Sequence, residues 1–358
     1  MPASPFGSDY PSCRARLLGA LERVRPSWHE ALQHPLRGRS GERLFVDLAW
    51  FGPSDARSVL VLLSGTHGIE GRCGSGIGVA TIESPLIAEL PSSFALLVVH
   101  AINPWGFAWS RRCNEDGVDL NRNFVDFGRP LPESPGFDRL AALLVPSEFE
   151  GPTREADDAR LLGLVGELGP GAVARGQYRF AHAPFYGGEA TTWSNRRMRA
   201  IARRLADRER VVLIDHHSGL GERGRGQLIA AAREHDDPRA RRESIEAERL
   251  WGAAVVPVDA PGTIAYPTHG DLLIGVREEL GERVGSLVAI AHEFGTLPAP
   301  RVLKALCDDH WLWARADLAD PRAPGIHAAM REAFGPDDPE WEASVLAEAR
   351  VVIERALG

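Results

Sequence analysis

Cysteine is scarce in this 358-residue chain: Cys13, Cys73, Cys113 and Cys307 lie far apart and form no CxxC pair. That spacing signals neither a disulfide framework nor a thiolate zinc site, and predicts reduced, mostly structural thiols. No block of Lys or Arg stands apart from acidic neighbours and the formal charge is -8, which argues against a nucleic-acid partner. The arginines at 196–210 and 239–249 are interleaved with apolar residues and read as solvated helix faces. No run of eighteen apolar residues occurs. The N-terminal MPASPFGSDYPSCRARLLGALERV lacks a basic start followed by a continuous apolar stretch. A cytoplasmic protein without a membrane span is the expectation. No fixed-period repeat and no low-complexity linker divides the chain, so a single domain spanning 1–358 is expected. No feature assigns an oligomeric state.

What is present is a chain long enough for a substantial core, with 44% hydrophobic residues. LFVDLAW at 44–50, SVLVLLSG at 58–65 and FALLVVHA at 94–101 read as buried strands, with a helix at about 74–90 between the last two. Further apolar runs, VVLID at 211–215, QLIAAA at 227–232 and LVAIAHEF at 287–294, alternate with helical stretches at 136–147, 154–168, 192–207 and 238–252. This alternation predicts an α/β fold: a mixed, mostly parallel central sheet with helices on both faces. Residues 299–356 read as mostly helical, interrupted at Pro321, Pro324, Pro336 and Pro339. The Gly- and Pro-rich segments at 169–189 and 259–275 read as long surface loops.

SGTHGIEGRCGSG follows an apolar strand, placing His67 and Glu70 at the strand's carboxyl end, the edge where sites form in open α/β sheets. An imidazole and a carboxylate three residues apart can converge on one cation if the chain turns tightly, which Gly65, Gly68 and Gly71 permit. VVLIDHHSGLG ends a second strand in Asp215, His216 and His217. Adjacent strand residues point to opposite faces, so only one of the two histidines can approach the same ion. His, Glu and His leave a fourth position of zinc open for water, as catalytic sites do.

The third motif is RRCNEDGVDLNRNF at 111–124. GVDLNRNF, between an upstream HxxE and a downstream His after a strand, resembles the zinc carboxypeptidase superfamily, which includes succinylglutamate desuccinylase and aspartoacylase relatives. GTHGIEG with EFGT looks most like a bacterial branch of it. The resemblance runs from about residue 58 to 297, inside a motif-bearing core of about 44–297. It implies a zinc carboxypeptidase-like fold with one Zn2+, held by His67, Glu70 and His217. It further implies Glu293 of AHEFGT as the catalytic glutamate and Arg112 as the arginine polarising the scissile carbonyl. Asn121 and Arg122 match the pair that grips a terminal carboxylate, and Asp119 matches the partner of His67.

Arg111 and Arg112 lie closer to DLNRNF than the polarising arginine does in the secreted carboxypeptidases, and Arg112 is the preferred match. Tyr266, in GTIAYPTHGD, is the candidate by order for the tyrosine that lines the binding pocket of those enzymes. Asp215 is read as orienting a ligand or capping the strand end. His292 should face away from Glu293. His100, His235, His269, His310 and His327 lack matched partners in the sequence, and His182 and Tyr186 lie in a loop that by its length could border the pocket, with a surface loop without a role as the preferred reading.

The expected activity is hydrolysis of an amide bond beside a free carboxylate, by zinc-activated water and a glutamate base, on a small peptide. An N-acyl amino acid deacylase of the desuccinylase type is the alternative within the same chemistry. A non-catalytic metal-binding module is the competing class. Loss of Glu293 or of a ligand would mark it, yet each matched position carries a competent residue.

Overall fold

The computed structural model describes residues 4–231, 238–258, 264 and 266–357. His235, residue 232 of the expected strand and residues 259–263 and 265 of the expected loop lie outside the described residues. Eight strands form one sheet: β1 (Trp28–Arg37), β2 (Arg43–Phe51), β3 (Ser58–Ser64), β4 (Phe94–His100), β5 (Arg210–Arg223), β6 (Gly226–Ala230), β7 (Val255–Pro257) and β8 (Ser286–Gly295). Their order is β1-β2-β4-β3-β5-β8-β6-β7. The centre, β4-β3-β5-β8, is parallel, while β1 and β2 on one side and β6 on the other join it antiparallel.

The central strands are continuous runs of Val, Leu and Ile because both faces are covered. Leu60, Leu62, Val212 and Ile214 bury one face against helices Tyr10–Val24, Gly71–Ile82 and Pro339–Ala356. Val59, Val61, Val211 and Leu213 bury the other against Trp193–Arg203 and Leu272–Leu280. Each such side chain contributes about 1.5–3 kcal/mol. A third apolar cluster joins helices Asp138–Leu144, Pro152–Leu168, Ala299–Arg315 and Ala323–Phe334. The described part of the C-terminal stretch is helical as expected. Pro324 and Pro339 occupy first helical turns, where the missing N–H costs nothing, and Pro321 and Pro336 lie between helices.

The N-terminal helix Tyr10–Val24 and β1 lie ahead of the expected core. β1 is an edge strand, largely half-buried or exposed, and its register shifts between Gln33 and Arg37 around Pro35. Proline is tolerated at such an edge. The helix expected at 74–90 ends at Ile82 and is followed by a 3-10 turn, Pro85–Ile87, because Pro85 cannot continue it. Among the described residues, no helix is long and apolar enough to cross a membrane. All four cysteines are buried and free.

Candidate metal centre

His67 and Glu70 follow directly on β3, in a 3-10 turn over Gly68–Glu70 that leads into helix Gly71–Ile82. Gly65 bends the chain with φ 71°. At Gly68 a side chain is excluded, because a Cβ would lie 2.2 Å from the backbone of Gly106. The turn can therefore press against the segment that carries Arg111 and Arg112, whose carbonyls accept from the Ile69 and Gly68 amides.

His217 arrives from the neighbouring β5. Strand parity decides between the adjacent histidines. Asp215 and His217 continue the face of Val211 and Leu213, whereas His216 continues that of Val212 and Ile214. His216 lies instead 5.5 Å, centroid to centroid, from His292, its register partner on β8. All four ring nitrogens of this second pair lack a hydrogen-bond partner among the described residues. Burial lowers both, His216 to about 3, so they stay uncharged.

His67 Nδ1 is 2.8 Å from Glu70 Oε1, His217 Nδ1 is 2.9 Å from Glu70 Oε2, and the two Nδ1 atoms are 3.2 Å apart. One ligand atom from each of the three residues lies within 4.8 Å of the others, and all three are buried. Ligands about 2.0–2.1 Å from a common tetrahedral ion lie roughly 3.3 Å apart. The donor set therefore fits one small cation. Burial disfavours charge on Glu70, but His67 and His217 hold its carboxyl well below the usual range. Burial likewise opposes a charged His217, yet Asp215 and Glu70 raise it well above the usual imidazole range. The cluster thus favours a positive charge at its centre, which a metal can supply in place of a proton.

Carboxylates hold both rings from behind. His217 Nε2 is 2.8 Å from Asp215 Oδ2, and Thr66 Oγ1 donates to both oxygens of Asp215 at 3.0 and 2.8 Å. His67 Nε2 is 3.2 Å from Asp119 Oδ1, off the line of a good hydrogen bond. Asp119 also accepts from the Asn121 amide, so it caps the turn as well as backing His67. Burial pushes its carboxyl up, but Arg112 and His67 hold it well below the usual range. Such backing carboxylates fix ring orientation and typically contribute 10–100-fold in metal affinity. Asp215→Asn is accordingly expected to keep the fold while weakening metal binding by about 10–100-fold, measured by chelator competition. An unchanged affinity would reduce Asp215 to a strand-end residue.

Glu293 is the register partner of His217 on β8, on the same face, and its Oε1 accepts from the Leu220 amide at 3.1 Å. Burial, then the charge of Glu70, pushes its carboxyl up to about 7. A cation among the ligands would draw it back down. Arg112 donates through Nε to Asp119 at 3.0 Å and through Nη1 to Glu70 at 3.1 Å. Arg111 turns away to Asp309 and stacks over Trp313 at 4.3 Å.

DLNRNF forms a 3-10 turn over Leu120–Arg122. Asn121 Oδ1 accepts from the Leu272 amide at 2.8 Å. Arg122 donates through Nε and Nη2 to the Ala174 carbonyl at 3.0 and 2.7 Å, and through Nη1 to its neighbour's carbonyl at 2.7 Å. These bonds engage three of the guanidinium's five N–H groups and hold it rigid.

His67, Glu70, His217, Glu293, Arg112, Asn121, Arg122 and Tyr266 all line one cavity of about 260 Å³. Asp271, the last residue of the GTIAYPTHGD segment, is assigned no role from the sequence; it lines the cavity and caps helix Leu272–Leu280 by accepting from the Leu273 and Ile274 amides. The reading of the 182–186 loop as a bare surface loop is corrected: Phe185 lines the cavity and Tyr186 is buried. The loop's sequence carries no periodic signal, and Phe185 reaches the cavity through a backbone bend at φ 62°.

The family described as "Protein of unknown function (DUF2817)" matches residues 6–348. The chain belongs to this family. Murein peptide amidase A of Escherichia coli (strain K12) is 40% identical over 82 residues, 23% of this chain and 32% of that protein. The chain thus spans about a third of the length of the curated relatives it matches. Among solved structures it is similar to carboxypeptidase A from Helicoverpa armigera, with TM-score 0.46 and 12% identity over 91% of this chain and 73% of that one. It is also similar to the succinylglutamate desuccinylase from Chromobacterium violaceum, with TM-score 0.38 and 15% identity over 90% of this chain and 74% of that one.

Proposed function

We propose that the chain is a zinc-dependent hydrolase that cleaves an amide bond beside a free carboxylate. The observation that carries this reading is the convergence of His67, Glu70 and His217 with the Glu293 carboxylate one strand away on the same face. The likeness over 82 residues to a protein named as an amidase accords with it. Zinc held by His67, Glu70 and His217 would supply a Lewis acid that makes water nucleophilic near neutral pH.

The chain's own residues supply the remainder. Glu293 accepts the proton of the attacking water and returns it to the leaving amine. Its second oxygen is the one left for this role, because Oε1 is held by the Leu220 amide. Arg112, already charged and fixed by Asp119 and Glu70, stabilises the negative charge that develops on the scissile carbonyl. Arg122 presents its two remaining N–H groups to the substrate's carboxylate, and Asn121 and Tyr266 border the same space.

Matched free-acid and amidated substrates test the recognition step. Wild type is expected to prefer the free acid, and Arg122→Ala to lose that preference. Breaking a buried charged hydrogen bond costs about 2–5 kcal/mol, so use of the free acid should weaken roughly thirtyfold or more. Equal rates on both forms in both proteins would exclude carboxylate recognition by Arg122.

A second reading, N-acyl amino acid deacylation rather than peptide cleavage, is favoured by one observation. Much of the cavity wall away from Arg122 is hydrocarbon.

A further inference from the structure

We infer that the acyl side of this site is an apolar chamber, so that the substrate is an N-acyl amino acid with a hydrocarbon tail. The inference rests on the reading of the site as a hydrolase of amides beside a carboxylate.

A series of contacts orders the cavity from end to end. Arg122 and Arg112 flank the ring of Phe185, at 5.9 and 5.4 Å from its centroid. Arg112 bonds Glu70, Glu70 meets His217, and His217 pairs in register with Glu293. Beyond Glu293, a Cβ on Gly219 would lie 3.6 Å from Glu293 Oε1 and 3.1 Å from the ring of Phe334. Arg122 and Phe334 do not meet in this series, and Phe334 packs beside the Glu293 end of β5 at Gly219. With its carboxylate at Arg122 and its amide at Glu293, the substrate is taken to direct its acyl group toward Phe334.

The apolar wall of the cavity includes Val302, Leu303 and Leu306 of helix Ala299–Arg315, which packs on the helix that ends in Phe334. Leu162 and Val165 of helix Pro152–Leu168 line the same cavity. Leu162 is 44% exposed and stands at the mouth. These leucines and valines inside helices present methyl groups, since their backbone N–H and C=O groups are used within the helix. Ser218 Oγ, beside Phe334, already donates to the Phe334 carbonyl. A peptide extended along the Val302, Leu303 and Leu306 side of this wall would set its amides against methyl groups, whereas a hydrocarbon loses nothing there.

The test uses derivatives of one amino acid carrying acetyl, butanoyl, hexanoyl or octanoyl groups, together with a tripeptide of comparable length. Each is titrated by calorimetry into zinc-loaded Glu293→Gln protein, and hydrolysis by wild type is measured in parallel. Affinity is expected to rise about fourfold for each added methylene, the equivalent of roughly 0.8 kcal/mol. Leu162→Gln and Leu303→Gln, both at partly exposed positions, should flatten that rise. Constant or falling affinity with chain length, an undiminished rise in both variants, or tighter binding of the tripeptide would each overturn the inference. Flat binding with cleavage of every member removes the chamber and keeps the hydrolase. A steep rise without cleavage keeps the chamber and removes the hydrolase.

Discussion

Glu293→Gln is expected to lower turnover by about 10²–10⁴-fold, the usual contribution of a positioned general base. The amide keeps the shape and can still accept the Leu220 N–H through its oxygen, so fold and bound metal should survive. What it cannot do is take a proton from water. The environment of Glu293 suits a general base, because burial and the charge of Glu70 raise its carboxyl while metal among the ligands opposes the rise. Wild-type turnover should therefore fall as pH drops through the Glu293 pKa, and the glutamine variant should lose that limb of the profile. Turnover within about threefold of wild type, far from the 10²-fold minimum expected of a base, would remove Glu293 from the role.

His217→Ala should lose stoichiometric metal and fall to background hydrolysis, whereas His216→Ala should retain both. The adjacent residues are chemically identical and differ only in the face of β5 they occupy. The alanine at 217 removes one of three ligands and strands Asp215 and Glu70 as buried charges without that partner. Metal analysis of the two purified variants, with a thermal melt to establish folding, distinguishes the outcomes. Retention in His217→Ala with loss in His216→Ala would reverse the assignment, and retention in both would remove β5 from the metal site. A linked expectation follows from protonation. Metal-free His217 holds its proton well above the usual imidazole range, so metal binding should release that proton. Affinity should then rise by up to about tenfold per pH unit while the proton is bound, and weaken toward acid.

The parallel centre of the sheet was legible because strands buried on both faces must be apolar throughout, and LVLL-type runs stand out at once. β1 was not, because an edge strand facing water on one side carries His29, Glu30, Gln33 and His34, a composition shared with loops. The proximity of the GTHGIEG, DLNRNF and DHHSG segments was expected from resemblance. Their convergence depends on β3 and β5 being parallel neighbours, with β8 next to β5.

Sequence alone determined which residue types could do the chemistry, the strand ends that carry them, and that His216 and His217 could not serve one ion together. Period-two alternation is local, and a chain cannot evade it within a regular strand. Only the tertiary structure decided the remainder. It sent Arg111 to Asp309 and brought Phe185 and Asp271 into the cavity. It also closed the cavity with leucines and valines from helices far apart in sequence, Pro152–Leu168 and Ala299–Arg315. Such contacts follow from packing of whole elements against the sheet, and no spacing within any one segment encodes them.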